Sequence, residues 1–221
     1  MVNALGAHFI KEHGWKVFMA KPEEANNKTY KLMAGKLVGK IFHDPEIEFD
    51  YVAYDRAGEI MKGNLAMIDL YQNIEWASLK DDIRSAAHEG CKAVFIDPIT
   101  NLTNGMNAAD ANVKLQEIAQ ELSSIAKDLN IVIFIFCHLK APDSGEPHER
   151  GGKVYSTQFA GSRAMMRSCN LMIGIQGNKS DELDAEEKNM RQLILLEDRE
   201  FGQTGNFPLY WNPKTSLFAE M

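Results

Sequence analysis

Short apolar runs alternate along the chain with longer segments whose apolar residues recur every three or four positions. The clearest helical stripe covers residues 110–130, where apolar side chains follow the i, i+3, i+4, i+7 spacing of one helix face. Residues 131–137 (IVIFIFC) are apolar throughout and rich in β-branched side chains. This is typical of a parallel strand that is covered on both faces.

The same pattern predicts further elements on both sides of these two. The predicted helices are residues 3–13, 24–40 and 79–89, and the predicted strands are residues 16–20, 65–70, 93–96, 170–175, 192–196, 207–211 and 217–218. Glycines 14 and 90 are expected to end the helices that precede them. Because strands that alternate with helices form crossovers, we expect an α/β fold: a mainly parallel sheet with helices on both faces, and a C-terminal β-hairpin.

Two segments are predicted to be loops. Residues 141–153 (APDSGEPHERGGK) are rich in proline, glycine and charge, and residues 178–189 are acidic. Strands are predicted on both sides of each loop, so neither is expected to link two domains. Residues 1–221 are therefore interpreted as a single domain.

Composition excludes several classes of protein. The net charge of −7 argues against a monomer that coats duplex DNA non-specifically, although a local basic loop within a larger assembly is still possible. The three cysteines are far apart, which fits a reducing compartment and excludes a disulfide scaffold or a CxxC-type zinc site. No apolar run approaches the roughly 20 residues of a membrane helix, and the N-terminus shows no secretory signal.

Polar residues follow three of the predicted strands directly. The first strand is followed by Lys21-Pro22-Glu23-Glu24, residues 93–96 by Asp97, and residues 131–137 by His138. Ligands bind at the carboxyl ends of strands in open parallel sheets, so we expect these side chains to lie along one edge. Two carboxylates and an imidazole suit metal-assisted phosphate chemistry, in which one acid orients a water and the other holds Mg²⁺ through its water shell.

Each of these residues also has an ordinary structural alternative. Glu23 and Glu24 are suited to cap the next helix, because acids are favoured at a helix N-terminus. Asp97 precedes a proline and is a common turn former. His138 follows Cys137 directly, and neighbours on a strand point to opposite faces, so the two do not form a catalytic dyad.

A nucleotide site normally contains a phosphate-binding loop of the form GxxxxGK[ST] between a strand and a helix. The sequence contains no such match. The nearest segment, residues 35–41 (GKLVGKI), has three residues between its glycines and ends in isoleucine. It is predicted to lie within or at the end of a helix, and we do not interpret it as a phosphate site.

Four segments resemble the helicase domain of phage primase-helicases, in the ring-shaped replicative class that includes Twinkle and, more distantly, DnaB. They are VFMAKPEEANNKTYKLMAG, AVFIDPITNLTNG, IVIFIFCHLKAPDSGEPHERGGKVYSTQFAGSRAMMR and LILLEDREFGQTGNFPLYWNPKTSLF. They occur in the family's order over nearly the whole chain. The resemblance implies a RecA-like three-layer sandwich, ATP and Mg²⁺ as cofactors of the complete protein, a hexameric homo-oligomer and single-stranded DNA as partner.

The resemblance also implies roles for individual residues. Glu23 resembles the catalytic glutamate that polarises water, Asp97 the Walker B aspartate near Mg²⁺, His138 the phosphate-sensing histidine, and Arg199 the arginine finger that acts on the neighbouring subunit. Trp211, or Tyr210 if the alignment shifts, falls where the family stacks an aromatic ring on the base. Their alternative is packing in the terminal hairpin. The DNA-facing loops are matched by Lys140, Arg150, Lys153, Gly161, Ser162, Arg163 and Arg167.

Three departures from the family pattern stand out. By alignment, the Walker A loop falls just before Met1, so we expect either a fragment of a longer protein or a variant that has lost hydrolysis, and favour the fragment because the later positions remain in register. Glu197 stands where relatives often have a lysine, two residues before Arg199. Ser144 and Glu146 stand where relatives can be basic, which should weaken phosphate contacts.

The sequence thus predicts the RecA-like domain of an ATP-dependent replicative DNA helicase, cytoplasmic in a bacterial host and inactive as an isolated chain. Between His138 and Asn170, five Lys or Arg residues against three acids give a modest positive balance for DNA, although a solvated flexible loop is the alternative. A second hypothesis is a non-catalytic RecA-like assembly or regulatory module that pairs with a P-loop-bearing partner. A strand-exchange or clock-type RecA relative is a weaker third.

Overall fold

Four parallel strands form one sheet of the computed structural model, which describes residues 1–68, 75–159, 165 and 167–221. The strands are β1 (Lys16–Ala20), β2 (Leu65–Met67), β3 (Cys91–Ile96) and β4 (Val132–Ile135), in the order β2-β1-β3-β4. All three pairings are parallel, with Phe18 opposite Val94 and Phe95 opposite Phe134. The parallel sheet expected from the sequence is confirmed, although residues 69 and 70 of the predicted second strand lie outside the described residues.

Five helices accompany this sheet within the described part of the chain: α1 (Val2–His13), α2 (Asn26–Val38), α3 (Tyr51–Met61), α4 (Trp76–His88) and α5 (Ala108–Asp128). Helices α1, α2 and α3 share a core with Phe95, whereas α4 contacts β3 and α5 contacts β4. Val94 and Phe95 point to opposite faces of β3, and both are fully buried. Both faces of the sheet are therefore covered, as predicted.

The helix ends follow the sequence signals where those signals are strong. Gly14 ends α1 in the left-handed conformation, with φ of 62°, and its amide bonds to the carbonyl of Ile10. The side chain of Asn107 starts α5 by accepting hydrogen bonds from the amides of Ala109 and Asp110. Helix α3 is absent from the sequence-based prediction, because only two of its residues, Ala57 and Met61, are fully buried and its apolar stripe is short.

The C-terminal strands form a separate antiparallel sheet rather than extending the parallel one. They are β5 (Leu171–Gly177), β6 (Met190–Asp198), β7 (Gly205–Asn212) and β8 (Leu217–Glu220), paired in chain order. No long helix connects them, and parallel pairing requires a crossover of a dozen or more residues, usually a helix. The predicted terminal hairpin is confirmed as β7–β8.

The described residues divide into two compact units. One comprises Met1–Cys137 with Lys214–Ser216, and the other comprises His138–Pro213 with Leu217–Met221. The interpretation of residues 1–221 as one domain therefore stays a prediction. No helix in the described ranges is long and apolar enough to cross a membrane. All three cysteines are free thiols.

Candidate functional site at the ends of the parallel strands

The carboxyl ends of β1 and β3 meet at one edge of the parallel sheet. The amide of Asp97 donates a hydrogen bond to the carbonyl of Ala20 over 2.9 Å. Asp97 thus leaves β3 directly beside the residues that follow β1. This backbone contact places Asp97 and the segment from Lys21 to Glu24 at the same edge.

A buried lysine and a carboxylate lie at the centre of this edge. The Lys21 side chain is only 6% exposed, and its Nζ donates hydrogen bonds to Glu24 Oε1 and, over 3.2 Å, to Asn3 Oδ1. Thr29 Oγ1 donates to the same oxygen of Glu24 over 2.7 Å. The cluster of Asn3, Lys21, Glu24 and Thr29 joins the starts of α1 and α2 to the end of β1, and is called the Lys21 cluster below.

Burial and charge act in opposite directions on the two carboxylates of this edge. Burial of Glu24 opposes its ionisation, but the hydrogen bonds from Lys21 and Thr29 outweigh it, so its pKa is lowered. Burial raises the pKa of Asp97; the Lys21 ammonium opposes this shift, while the charges of Glu24 and Glu23 add to it. Lys21 is therefore the cation that keeps two adjacent acids ionisable.

Glu23 and Glu24 have different environments although they are neighbours in sequence. Glu24 is engaged by Lys21 and Thr29, whereas Glu23 is exposed. Ala25 is the N-cap of α2, and its side chain makes no capping hydrogen bond. The helix-capping alternative for Glu23 and Glu24 stays a prediction. Lys36 on α2 is half-buried, and burial lowers its pKa to about 8.

The other residues predicted for catalysis lie in the second unit. His138 is its first residue and is exposed. Arg199 follows β6 directly; its guanidinium pairs with the Glu197 carboxylate over 3.7 Å and donates a hydrogen bond to the carbonyl of Arg167. The family departure at Glu197 therefore has a direct effect, because this acid is an ion-pair partner of Arg199.

Tyr210 and Trp211 lie on β7, and both are half-buried. Tyr210 is opposite Met190 and Ala219, and Trp211 is opposite Phe218. Adjacent residues of a strand point to opposite faces, so the two rings do not share one face of the sheet. Only one of them can therefore face a given ligand.

The predicted DNA-facing residues are only partly described. Lys140, Arg150, Lys153 and Arg167 are exposed, whereas Gly161, Ser162 and Arg163 lie outside the described residues. Residues 138–159 contain an ordered hydrogen-bond network: the amide of Lys140 donates to the carbonyl of Gln158 over 2.7 Å, and Arg150 bridges to Asn178. The alternative of a flexible solvated loop stays a prediction.

A family model described as the DnaB-like helicase C-terminal domain matches residues 35–220, which is most of the chain. The chain belongs to this family. The match includes Asp97, His138 and Arg199, and the resemblance to phage replicative helicases is confirmed.

Individual relatives agree with this assignment. The chain is 28% identical over 116 residues to a DNA helicase/primase of Enterobacteria phage T3, which covers 52% of this chain and 20% of the phage protein. A DnaB-like replicative helicase, whose structure was solved to describe its interactions with primase, superposes with a TM-score of 0.77 at 14% identity, over 100% of this chain and 55% of that one. The chain thus spans about a fifth of the length of the phage protein and about half of the length of the DnaB-like helicase.

Two further solved structures share the fold. One, described as an ATPase domain, matches with a TM-score of 0.75 at 14% identity, over 99% of this chain and 81% of that one. A KaiC-like protein of Pyrococcus horikoshii OT3 matches with a TM-score of 0.60 at 15% identity, over 99% of this chain and 82% of that one. These likenesses confirm the RecA-like fold class, which helicases share with clock-type proteins. The match to the DnaB-like helicase family assigns the chain to the first of these two groups.

The donor set at the sheet edge fits Mg²⁺ in one specific way. Among the residues that the structure describes, no group of three or more His, Cys, Asp or Glu side chains could hold a metal by itself. Mg²⁺ at nucleotide sites is commonly held by one or two carboxylates together with waters and substrate phosphates. Asp97 fits that role because its carboxylate, unlike that of Glu24, is not hydrogen-bonded to Lys21.

The same edge does not fit a triphosphate by itself. Residues 21–25, which link β1 to α2, contain no glycine, and α2 begins without a side-chain cap. A phosphate-binding loop presents several backbone amides from a glycine-rich turn. The described residues at this edge thus provide acids and a buried cation, but not such a cradle.

The sequence-based prediction named Glu23 and Asp97 as site residues but did not name any of the four residues of the Lys21 cluster as one. A signal existed, because Lys21 follows an apolar strand directly and precedes Glu24 by three residues. Asn3 and Thr29 carry no such signal. They meet Lys21 and Glu24 only because α1 and α2 both start at this edge.

Proposed function

We propose that these residues form the RecA-like ATPase core of a replicative DNA helicase, which unwinds DNA and moves along single-stranded DNA as a hexameric ring. The observation that supports this most directly is the family match over residues 35–220, combined with the meeting of Asp97 and the Glu23–Glu24 pair at one sheet edge. Ligands of parallel sheets bind at such edges. ATP is the substrate, and each site lies between neighbouring copies of the chain.

The two acids have separate tasks in this proposal. Asp97 holds Mg²⁺ through a water molecule, and the ion, when bound, neutralises charge on the phosphate oxygens. Glu23 polarises the attacking water, which is consistent with its exposure and with the engagement of Glu24 by Lys21 and Thr29. Lys21 stabilises the ionised acids before substrate arrives.

The second unit supplies the remaining roles. Arg199 reaches the neighbouring subunit's phosphates as an arginine finger, and must first leave Glu197. His138 senses the phosphate and passes the nucleotide state to the DNA-facing residues Lys140, Arg150, Lys153 and Arg167. Trp211, or Tyr210, stacks on the nucleotide base.

We also propose that residues 1–221 alone do not hydrolyse ATP, because they contain no GxxxxGK[ST] loop. This same feature favours one alternative function: a non-catalytic module that uses the Arg199 edge to pair with a P-loop-bearing partner. An in-frame GxxxxGK[ST] encoded directly upstream of Met1 would favour the helicase over the module. The working location that we propose is the cytoplasm of a bacterial host.

Two assays on the purified chain test this proposal. Fluorescence anisotropy with labelled single-stranded dT20 should show binding that weakens as salt rises, since phosphate contacts release counterions. DNA-stimulated ATP hydrolysis should stay at the level of an Asp97→Asn control. ATP turnover by wild type that Asp97→Asn abolishes would overturn the proposal that the chain is inactive and would support the site. Failure of the chain to bind DNA at low salt would count against the helicase function.

A further inference from the structure

The loop of residues 140–158 in the second unit encloses a cavity of about 550 Å³. Its lining includes two lysines, Lys140 and Lys153, two acids, Asp143 and Glu146, and Tyr155. The volume is within the range of small-ligand sites in proteins. A cavity of this size and polarity can accept one nucleotide unit.

His148 lies between two backbone carbonyl groups of this loop. Its Nε2 lies 3.1 Å from the carbonyl oxygen of Lys140, and its Nδ1 lies 3.4 Å from that of Gly152. The carbonyl of Pro147 accepts hydrogen bonds from the amides of Arg150 and Gly152. A side chain at Gly152 would place its Cβ 1.9 Å from the Glu146 carbonyl oxygen, so only glycine allows this close approach.

A second support comes from β5. The Gln176 side chain donates to the carbonyl of Gly151 over 3.1 Å and accepts from the amide of Val154 over 3.4 Å. The loop is thus fastened to the antiparallel sheet of its own unit. The cavity is therefore preformed, which lowers the entropic cost of binding a ligand.

The backbone of Tyr155 is held on this loop by two hydrogen bonds with Gln158. Its amide donates to Gln158 Oε1 over 2.7 Å, and its carbonyl accepts from the amide of Gln158 over 3.1 Å. The ring is nonetheless exposed, at 54% for the residue. An exposed aromatic ring on an ordered backbone is a suitable stacking surface for a base, because every base has a π-face.

The charges around the cavity suit the other parts of a nucleotide. Neither Lys140 nor Lys153 forms an ion pair within the described ranges, so both ammonium groups are available to a phosphate. The carboxylates of Asp143 and Glu146 repel a phosphate but accept hydrogen bonds from N–H groups of a base. The mixed lining therefore favours a base with one phosphate over a bare polyphosphate.

We propose that this cavity binds one nucleotide of single-stranded DNA, with the base stacked on Tyr155 and its phosphate on Lys140 and Lys153. The inference rests on the DNA-binding part of the proposed function, and adds base stacking to contacts otherwise made to phosphates. Tyr155 is then a residue that distinguishes DNA with bases from a bare sugar-phosphate chain.

The test compares two oligomers and three variants of the purified chain. Fluorescence anisotropy with labelled dT12 and with an abasic 12-mer is measured for wild type, Tyr155→Leu and Tyr155→Phe. Tyr51→Leu, at an exposed tyrosine of α3, is the matched control. We expect Tyr155→Leu to weaken dT12 binding about tenfold or more, Tyr155→Phe and the control to change it by less than about twofold, and the abasic oligomer to be insensitive to all three.

The outcomes separate this inference from the proposed function. Wild-type-like dT12 binding by Tyr155→Leu would overturn the stacking site while leaving DNA binding intact. If wild type binds neither oligomer, the DNA-binding proposal fails, and the cavity is tested with dTMP by saturation-transfer NMR. Saturation transfer to the thymine protons that occurs with wild type and is lost in Tyr155→Leu would support the cavity site. Absence of this saturation transfer with wild type would overturn it.

Discussion

The ammonium group of Lys21 and the carboxylate of Glu24 form a contact that is largely shielded from water, with side-chain exposures of 6% and 18%. Removing one partner from a buried ion pair leaves an uncompensated buried charge. The resulting loss of stability is larger than the stability that the ion pair provides relative to two neutral side chains. The Lys21 cluster thus makes the folded state depend on the same residues that set the charge at the candidate site.

Substitution Glu24→Gln should destabilise the protein strongly. The amide oxygen of the introduced glutamine can still accept a hydrogen bond from Thr29, but Lys21 loses its counter-charge, so we expect a loss of about 3 kcal/mol in the free energy of unfolding. Urea denaturation at pH 7 measures it. The double variant Lys21→Met/Glu24→Leu should lose much less, and an equal loss would show that charge is not the cause.

The same pair should make stability fall in acid. Because the pKa of Glu24 is lowered in the folded state, its ionised form stabilises the fold above the ordinary carboxyl pKa, and this contribution disappears as the pH falls through the lowered value. The difference in urea midpoint between wild type and Glu24→Gln should therefore be large at pH 7 and shrink below about pH 4. A difference that is constant with pH would contradict this assignment.

Asp97→Asn should have the opposite effect on stability. Burial raises the pKa of Asp97, so ionisation lowers stability as the pH rises between the ordinary and the raised value, and the full cost is present at neutral pH. We expect the urea midpoint of Asp97→Asn at pH 7 to stay equal to that of wild type or to rise. Asp82→Asn, at an exposed acid of α4, is the control, and should leave the midpoint unchanged.

Gly35→Ala should destabilise the protein although alanine is the better helix former. A Cβ at this position would lie 2.4 Å from the carbonyl oxygen of Lys40, which is backbone and cannot move alone. We expect a loss of about 1–3 kcal/mol, as in overpacked cores. In Gly58→Ala the new Cβ meets only the Tyr30 hydroxyl, at 3.0 Å, so thermal denaturation should show a smaller effect there.

His148→Ala should loosen the loop around the cavity. Without the imidazole, the carbonyl groups of Lys140 and Gly152 lose the ring between them, which in its neutral form donates a hydrogen bond to one of the two. Trypsin should then cleave faster after Arg150 and Lys153, as followed by mass spectrometry under native conditions. His88→Ala, at an exposed position of α4, is the matched control, and equal cleavage rates in both variants would contradict this role for His148.

The sequence predicted most elements because their signals are local. The runs that became β1, β3 and β4 are short and apolar, and the stripe of α5 follows the helical period, so length and spacing sufficed. Helix α3 and the separate antiparallel sheet were not anticipated. Only Ala57 and Met61 of α3 are fully buried, so its apolar stripe is short. The pairing partner of a strand depends on the length of its connections.

The chain by itself determined the elements, the positions of Asp97 and the Glu23–Glu24 pair after strands, and the likeness to replicative helicases, because periodicity and motif order are properties of neighbours in sequence. Only the tertiary structure decided that Lys21 is buried against Glu24, that Asn3 and Thr29 complete this cluster, and that His148 closes a cavity beside Tyr155. Those contacts depend on which ends of helices and strands meet in space. The free energy of burying a charge, or of placing a Cβ against the backbone, depends on the residues that surround the position in the fold.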